Sequence, residues 1–419
     1  MATTRTTADR PRVRPVTGGP PGSGPADRDA DDATQRRPGG RSAIVVVQKV
    51  FGAETSTFFL LLGTTLFLLA LGLVMVLSSS SIEDGASSGH DFFATFSRQG
   101  LYALIGIPLM LIASRMPLGF WKKWAWPALL ATALLQLLVF TPLGFAFQGN
   151  QNWIRIGAFT AQPSELVKLA LILWIAWILA AKQNLLHDWK HVFIPIAPVT
   201  AVAIALVLLG KDLGTSLILL MIVLGCLFYA GVRLRIIGVA FLVSALVALL
   251  FSEIRTSRST RISAFLTGCT NKDDLLNNCW QSVHAWWGIA SGGVFGSGLG
   301  ESKEKWSWLP NAANDFIFAI VGDELGFIGA VLVLALFVVL TIAFVRIIRT
   351  SQDPFAKIVT AGVMVWLVGE AFVNIAVVLG LLPVLGVPLP FISAGGSSLV
   401  ASLVAVGVVL SFARHKAVP

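Results

Sequence analysis

Few side chains in this sequence can do acid–base or anion chemistry, and they gather in short segments between long apolar runs. Asp315 stands first among them. It follows Leu309-Pro310-Asn311-Ala312-Ala313-Asn314 and opens an apolar run, where a carboxylate can stabilise a helix start or take a proton from a reacting hydroxyl. Asp323 and Glu324 lie inside the same run, and in one continuous helix they would sit about 12 Å deeper. Carboxylates at that depth need partners or a wet cavity, and a buried structural network is the expected use for these two.

Four other segments carry the remaining candidates. Gln162-Pro163-Ser164-Glu165-Leu166-Val167-Lys168 reads as a helix start, with Pro and an acid in the first turn. Glu165 and Lys168 share one helical face, so an internal ion pair and a cation set for an anionic ligand are both open. Just upstream, Trp153 and Arg155 belong to Asn152–Gly157, and Trp153 is either an interfacial belt residue or part of a site. Asp212, in Lys211-Asp212-Leu213-Gly214-Thr215, either pairs with its neighbour or lines a polar cavity. Ser291-Gly292-Gly293-Val294-Phe295-Gly296-Ser297-Gly298-Leu299-Gly300 is dense in glycine. Such a run permits close backbone approach and could present N–H groups to a phosphate. It lacks the Walker lysine pattern and the strand–helix context of a dinucleotide site, which argues against soluble nucleotide chemistry. Gln281–Gly288, before it, reads as an amphipathic stretch on the surface. Finally, Leu381–Ser398 breaks the helical pattern with Pro383, Pro388 and Pro390 and with Gly395-Gly396, flanked by Ser393 and Ser397. Non-helical backbone at that depth must be buried by protein or line a cavity. Glu370 and Asn374, on the preceding run, share a helical face and are placed to support it.

The elements that position these segments follow from composition. The chain is 55% hydrophobic and 13% charged over 419 residues, against about 25% charged in an average globular protein. Its mean hydropathy is +0.79. Apolar runs can be placed at 58–77, 100–113, 125–140, 165–181, 192–209, 215–229, 236–251, 315–345, 358–379 and 397–412. That predicts an all-α polytopic membrane protein of about ten transmembrane helices. Basic residues collect in alternate short loops: Arg115, Lys122 and Lys123; Lys182 and Lys190; Arg233 and Arg235; Arg346, Arg349 and Lys357; Arg414 and Lys416. The opposite loops hold Arg98, Arg155 and Lys211, so both termini are placed in the cytoplasm and 252–314 is a long extracytoplasmic loop. Residues 1–50, rich in Arg, Pro, Gly and Asp, are expected to be a disordered cytoplasmic tail. Residues 51–412 form the membrane domain, and 413–419 a short cytoplasmic tail. A net charge of +9 fits retention beside the inner leaflet; no basic face with interleaved aromatics points to nucleic acid. Cys226 reads as inert packing. Cys269 and Cys279 both fall in the long loop, where a disulfide between them is expected if the loop faces outward.

Taken in order, these segments resemble the SEDS family (shape, elongation, division and sporulation) and its FtsW cell-division branch. The resemblance rests on Asn152-Trp153-Ile154, Gln162–Lys168, Asp212-Leu213-Gly214-Thr215, Ser291–Gly300, Asp315-Phe316-Ile317-Phe318-Ala319, Glu324-Leu325-Gly326 and Leu389–Ser398, and it covers roughly 58–412. It implies a ten-span peptidoglycan glycosyltransferase that polymerises lipid II on the outer face of the cytoplasmic membrane, enriched at the division septum. A class B penicillin-binding transpeptidase of the FtsI-like type and other division proteins would be its partners. Asp315 matches the family's catalytic Asp, Trp153 its loop Trp, and Glu165 and Lys168 its Glu and Lys. Asn311 and Ala313 stand where the family often has Glu and His. The long tail is similar to those of actinobacterial members. On this reading Asp315 is the general base of an inverting displacement. Lys168 and Arg155 meet the diphosphate, and further substrate contacts fall on Trp153, Glu165, Asp212, Ser291, Gly292, Gly293, Gly298, Gly300, Ser393, Gly395, Gly396 and Ser397. The sequence points to no particular cofactor; a divalent cation (Mg or Mn) could assist, although no ligand cluster demands one. A lipid II flippase and a non-catalytic division scaffold are the alternatives.

Overall fold

The computed structural model describes residues 55–87, 93–147, 150–157, 159–253, 263, 265, 266, 268, 279–306 and 308–414. The expected tail at 1–50, residues 415–419 and most of the long loop lie outside these. The described residues belong to one compact unit.

Its helices are α1 (Ser56–Ser87), α2 (Ala94–Arg115), α3 (Leu118–Leu138), α4 (Pro163–Ala181), α5 (Trp189–Leu209), α6 (Leu213–Tyr229) and α7 (Leu234–Glu253). After the long loop come α8 (Trp280–Gly292), α9 (Ile317–Glu324), α10 (Gly326–Thr350), α11 (Pro354–Val378) and α12 (Ser397–Ala413). Six of them (α1, α2, α4, α5, α10 and α11) are long and apolar enough to cross a membrane, and α6, α12 and the first half of α7 are shorter apolar helices. The remaining apolar run, 125–140, falls on α3, whose Lys122, Lys123 and Gln136 dilute its hydropathy.

α4 and α11 form the centre. In each, 72% of the span is buried inside the protein, against 28% of α5, so α5 spends its apolar surface on lipid while α4 and α11 spend theirs on neighbours. Helices in lipid gain little from hydrophobic burial against one another, and close backbone approach at small residues takes over. α2 and α12 show this: a Cβ on Gly407 would lie 2.5 Å from the Met110 carbonyl, and one on Gly106 would lie 2.6 Å from Leu403.

The helical architecture holds, with one addition and one correction. The chain is not wholly helical, because β1 (Gly144–Phe147), β2 (Asn150–Ile156) and β3 (Phe159–Ala161) form an antiparallel sheet in the order β1-β2-β3. Asn152 and Ile154 are buried on one face while Trp153 and Arg155 take the other, the period of two that a half-covered strand imposes. The apolar run 315–345 is also not one helix. α9 ends at Glu324 and α10 begins at Gly326, whose φ of +68° suits glycine.

Candidate functional site

Asp315 precedes α9 in a turn spanning 309–316. Three consecutive carbonyls of that turn are held by the downstream Pro/Gly segment and by α11. The Ala394 N–H donates to Ala313 O (2.9 Å), Ser393 Oγ donates to Asn314 O (2.7 Å), and Asn374 Nδ2 donates to Asp315 O (2.7 Å). The same Nδ2 also holds Val387 O at 2.7 Å, and Ser393 Oγ accepts from the Leu389 N–H at 2.7 Å. The half-buried Asp315 carboxylate faces Gly386: a Cβ there would come 3.6 Å from Oδ2. Outside glycine, positive φ occurs among the described residues at Lys211, Asn311 and Phe391, all in the segments singled out above. Such conformations cost roughly 1–3 kcal/mol each and persist where surroundings over-determine them. For Phe391 the surrounding is α1, where a Cβ on Gly72 would lie 2.4 Å from Phe391 O.

One turn below Asn374 on α11 sits a buried ion cluster. Lys168 has no exposed side-chain surface; its Nζ lies 2.9 Å from Glu165 and 3.2 Å from Glu370 and stands 4.9 Å over the Trp366 ring. Trp366 Nε1 donates to Glu370 Oε2 at 2.6 Å. The expected role of Lys168 at the diphosphate does not fit this geometry: the ammonium is enclosed by two carboxylates and an indole. Of the two readings of Glu165 and Lys168, the structure shows the ion pair, and it adds Glu370.

The glycine-rich segment is likewise spoken for. α9 ends at Glu324, and its last carbonyls need donors. The N–H groups of Ser297 and Gly298 supply them, to Asp323 O (2.9 Å) and Glu324 O (3.1 Å). A Cβ on Gly292 would lie 2.0 Å from Gly322 O, and one on Gly296 2.1 Å from Glu324 O. These glycines let α8 and the following segment pack on α9; the amides of Ser297 and Gly298 cap a helix and form no phosphate cradle. Ser291 Oγ donates to Asp323 Oδ1 (2.6 Å). Glu324 is buried against Ser78 Oγ (2.7 Å) and Lys305 Nζ (3.2 Å). The structural network expected for Asp323 and Glu324 is therefore what the fold contains.

Asp212 caps α6, accepting from the Thr215 N–H (2.9 Å) and Oγ1 (2.7 Å), and Gln162 Nε2 donates to its second oxygen at 3.1 Å. Trp153 pairs with Phe145 across β2 and β1, and the exposed Arg155 guanidinium stacks 4.6 Å over the Phe145 ring. The sheet is tied to the Asp315 turn through a chain of contacts. Tyr102 OH donates to Thr160 O (2.8 Å) on β3, the Gln162 N–H donates to Ser397 Oγ (3.0 Å), and Gln99 bridges Ser393 O (2.9 Å) and the Gly396 N–H (3.1 Å). Ser393, Gly395, Gly396 and Ser397 thus belong to the frame around Asp315. Gly293, Gly298 and Gly300 take positive φ in the outer segment. Cys279 is disulfide-bonded, while Cys269 lies outside the described residues. Among the described residues no group of three or more His, Cys, Asp or Glu side chains could hold a metal ion. The described residues therefore offer no protein-built cage for a divalent cation.

A family model described as cell cycle protein, spanning FtsW, RodA and SpoVE, matches residues 59–418. The chain belongs to the FtsW/RodA/SpoVE family, the SEDS proteins. Its relatives include the probable peptidoglycan glycosyltransferase FtsW of Mycobacterium tuberculosis, 37% identical over 87% of this chain and 69% of that protein. The FtsW of Geobacter metallireducens, under the same description, is 40% identical over 84% of this chain and 93% of its own length. Among solved structures, the rod shape determining protein RodA of Thermus thermophilus superposes with a TM-score of 0.63 at 26% identity, covering 85% of this chain and 96% of RodA. A chain of a peptidoglycan synthase complex superposes at 0.69 with 24% identity over 84% of this chain and 96% of that one, a likeness of fold. The SEDS assignment and the polytopic helical architecture read from the sequence both hold.

Lys305, Ser78 and Gln99 are residues that sequence reasoning did not raise. Lys305 sits in Glu301-Ser302-Lys303-Glu304-Lys305, which reads as a solvated charge run, yet it is 4% exposed. No local signal separates it from Lys303.

Proposed function

We propose that this chain is a peptidoglycan glycosyltransferase that polymerises lipid II into glycan strands at the outer face of the cytoplasmic membrane during septal wall synthesis. The observation that carries the reading is the Asp315 turn: a carboxylate at the outer end of the bundle, on a backbone held at three consecutive carbonyls. A hydroxyl of the acceptor sugar gives its proton to Asp315 as its oxygen attacks the donor's anomeric carbon. The bond from that carbon to the lipid diphosphate breaks, and the electron pair leaves with the diphosphate. One base suffices for this single inverting displacement. Growing charge on the leaving group calls for preorganised cations, and Arg155, exposed on β2, is the candidate that the geometry leaves available. The partner is an FtsI-like class B penicillin-binding transpeptidase, in keeping with the FtsW names of the relatives.

The test is polymerisation of purified lipid II by this protein with its cognate transpeptidase, the transpeptidase site blocked, for wild type and Asp315→Ala. Polymer from wild type and none from a folded variant supports both the reaction and the base. Equal polymer from both removes Asp315 from the mechanism, and none from either shifts the reading to transport or scaffolding.

A further inference from the structure

Residues 300–306, 308 and 309, which join the glycine-rich segment to the Asp315 turn, form no helix or strand. Two adjacent side chains in this strap reach different anchors. Glu304 Oε2 lies 2.7 Å from His284 Nδ1 on α8, and the imidazole packs against the rings of Trp280 and Trp308 with centroids at 4.1 and 5.8 Å. Lys305 Nζ reaches Glu324 Oε1 on α9 at 3.2 Å, the Gly300 carbonyl, and Ser78 O on α1 at 3.5 Å. Ser78 Oγ completes the group by donating to the Glu324 carboxylate. A single staple would let the strap pivot; neighbouring staples to α8 on one hand and to α9 and α1 on the other fix its rotation as well as its place. The strap then hands this order on. The Leu309 N–H donates to Glu304 O (2.9 Å), Leu309 is 3% exposed, and Asn311 O accepts from the N–H groups of Asn314 (3.0 Å) and Phe316 (3.4 Å) on either side of Asp315.

We propose that Lys305 is a positioning residue for Asp315. Its buried pair with Glu324 fixes the upstream arm of the turn, as Ser393, Ala394 and Asn374 fix the downstream arm, and together they set the carboxylate against the acceptor hydroxyl. This rests on Asp315 acting as the base. A pair that merely held α1 to α9 would matter for folding alone. The two roles separate in the neutral double variant Lys305→Met/Glu324→Gln, which removes both charges and leaves neither buried alone.

The experiment compares wild type, Lys305→Met, the double variant and Asp315→Ala, each as full chain with its transpeptidase. It reads kcat and KM for lipid II, thermal unfolding, and amide hydrogen exchange over 309–316. Loss of positioning lowers kcat by about 10²-fold in the double variant, with KM unchanged and unfolding close to wild type, and speeds exchange across the turn by about tenfold or more. Wild-type kcat with wild-type exchange in the double variant overturns the proposal. If Asp315→Ala keeps its activity, the base assignment fails instead, and the exchange measurement alone decides whether Lys305 orders the turn.

Discussion

At the scale of single residues, burial decides what a charge can do. Asp315 and Lys168 are both ionisable groups in the outer part of the bundle, yet Asp315 is half-buried beside Gly386 while Lys168 has no exposed side-chain surface. Different outcomes follow. Asp315→Asn keeps the shape and loses the proton acceptor, so polymerisation falls by about 10²–10⁴-fold with the melting profile unchanged, as lipid II turnover and thermal unfolding of one preparation will show. Lys168→Met leaves Glu165 and Glu370 facing each other without a cation. Breaking a buried pair from one side costs about 3–5 kcal/mol, so this variant loses folded yield, read by size-exclusion chromatography in detergent, before any defect in chemistry can be measured. A Lys168→Met protein that melts like wild type and fails only in catalysis would return Lys168 to the substrate.

At the scale of elements, glycine carries the close contacts, and the consequences differ by position. Gly292 and Gly326 have backbone atoms within 2.0 and 2.3 Å of where a Cβ would be, and Gly326 also needs its φ of +68°. Gly63, on α1, has nothing within 4 Å. Gly326→Ala is expected to lower the unfolding temperature and Gly63→Ala to leave it or raise it slightly, since alanine favours helix by up to about 1 kcal/mol over glycine; differential scanning of both variants checks the contrast. The elements also show what a sequence can reveal. Apolar runs are local, so the helices were legible from length and charge alone. The break at Leu325-Gly326 was not, because the run stays apolar through it and its cause is Val294 and Gly296 packing from thirty positions upstream. The strand at Asn150–Ile156 left a signal in its alternation, but one overshadowed by the Trp and Arg it carries. Lys168 reads as one half of a helical pair with Glu165, while Glu370, which completes its shell, is 202 positions away. Asp315 could be picked out from its place at the edge of an apolar run; the three carbonyl tethers that make its position firm could not.

For the whole molecule, the distribution of Arg and Lys predicts that 252–314 lies outside and both termini inside. Single cysteines introduced at two exposed or half-buried lysines test this directly. Lys303→Cys should react with a membrane-impermeant maleimide on intact cells, and Lys357→Cys only after the membrane is opened. The native cysteines do not confuse the reading where they are described, since Cys226 is buried and Cys279 is disulfide-bonded. Labelling of Lys357→Cys from outside would reverse the orientation and place the Asp315 turn on the wrong face for a lipid-linked precursor displayed outside.

The tethers on Ala313, Asn314 and Asp315 also set an order of events during synthesis. Their donors lie at Asn374, Ser393 and Ala394, and the Lys305 clasp draws on Ser78 near the start of the bundle. A nascent chain that has threaded its first ten helical elements holds Asp315 and the Lys305 clasp but not the donors to those three carbonyls. The surroundings of Asp315 are thus drawn from early and late parts of the polypeptide and are complete only once α11 and the segment after it are in place. A chain cut before α11 would still occupy the membrane, and it would do so without the donors to Ala313, Asn314 and Asp315.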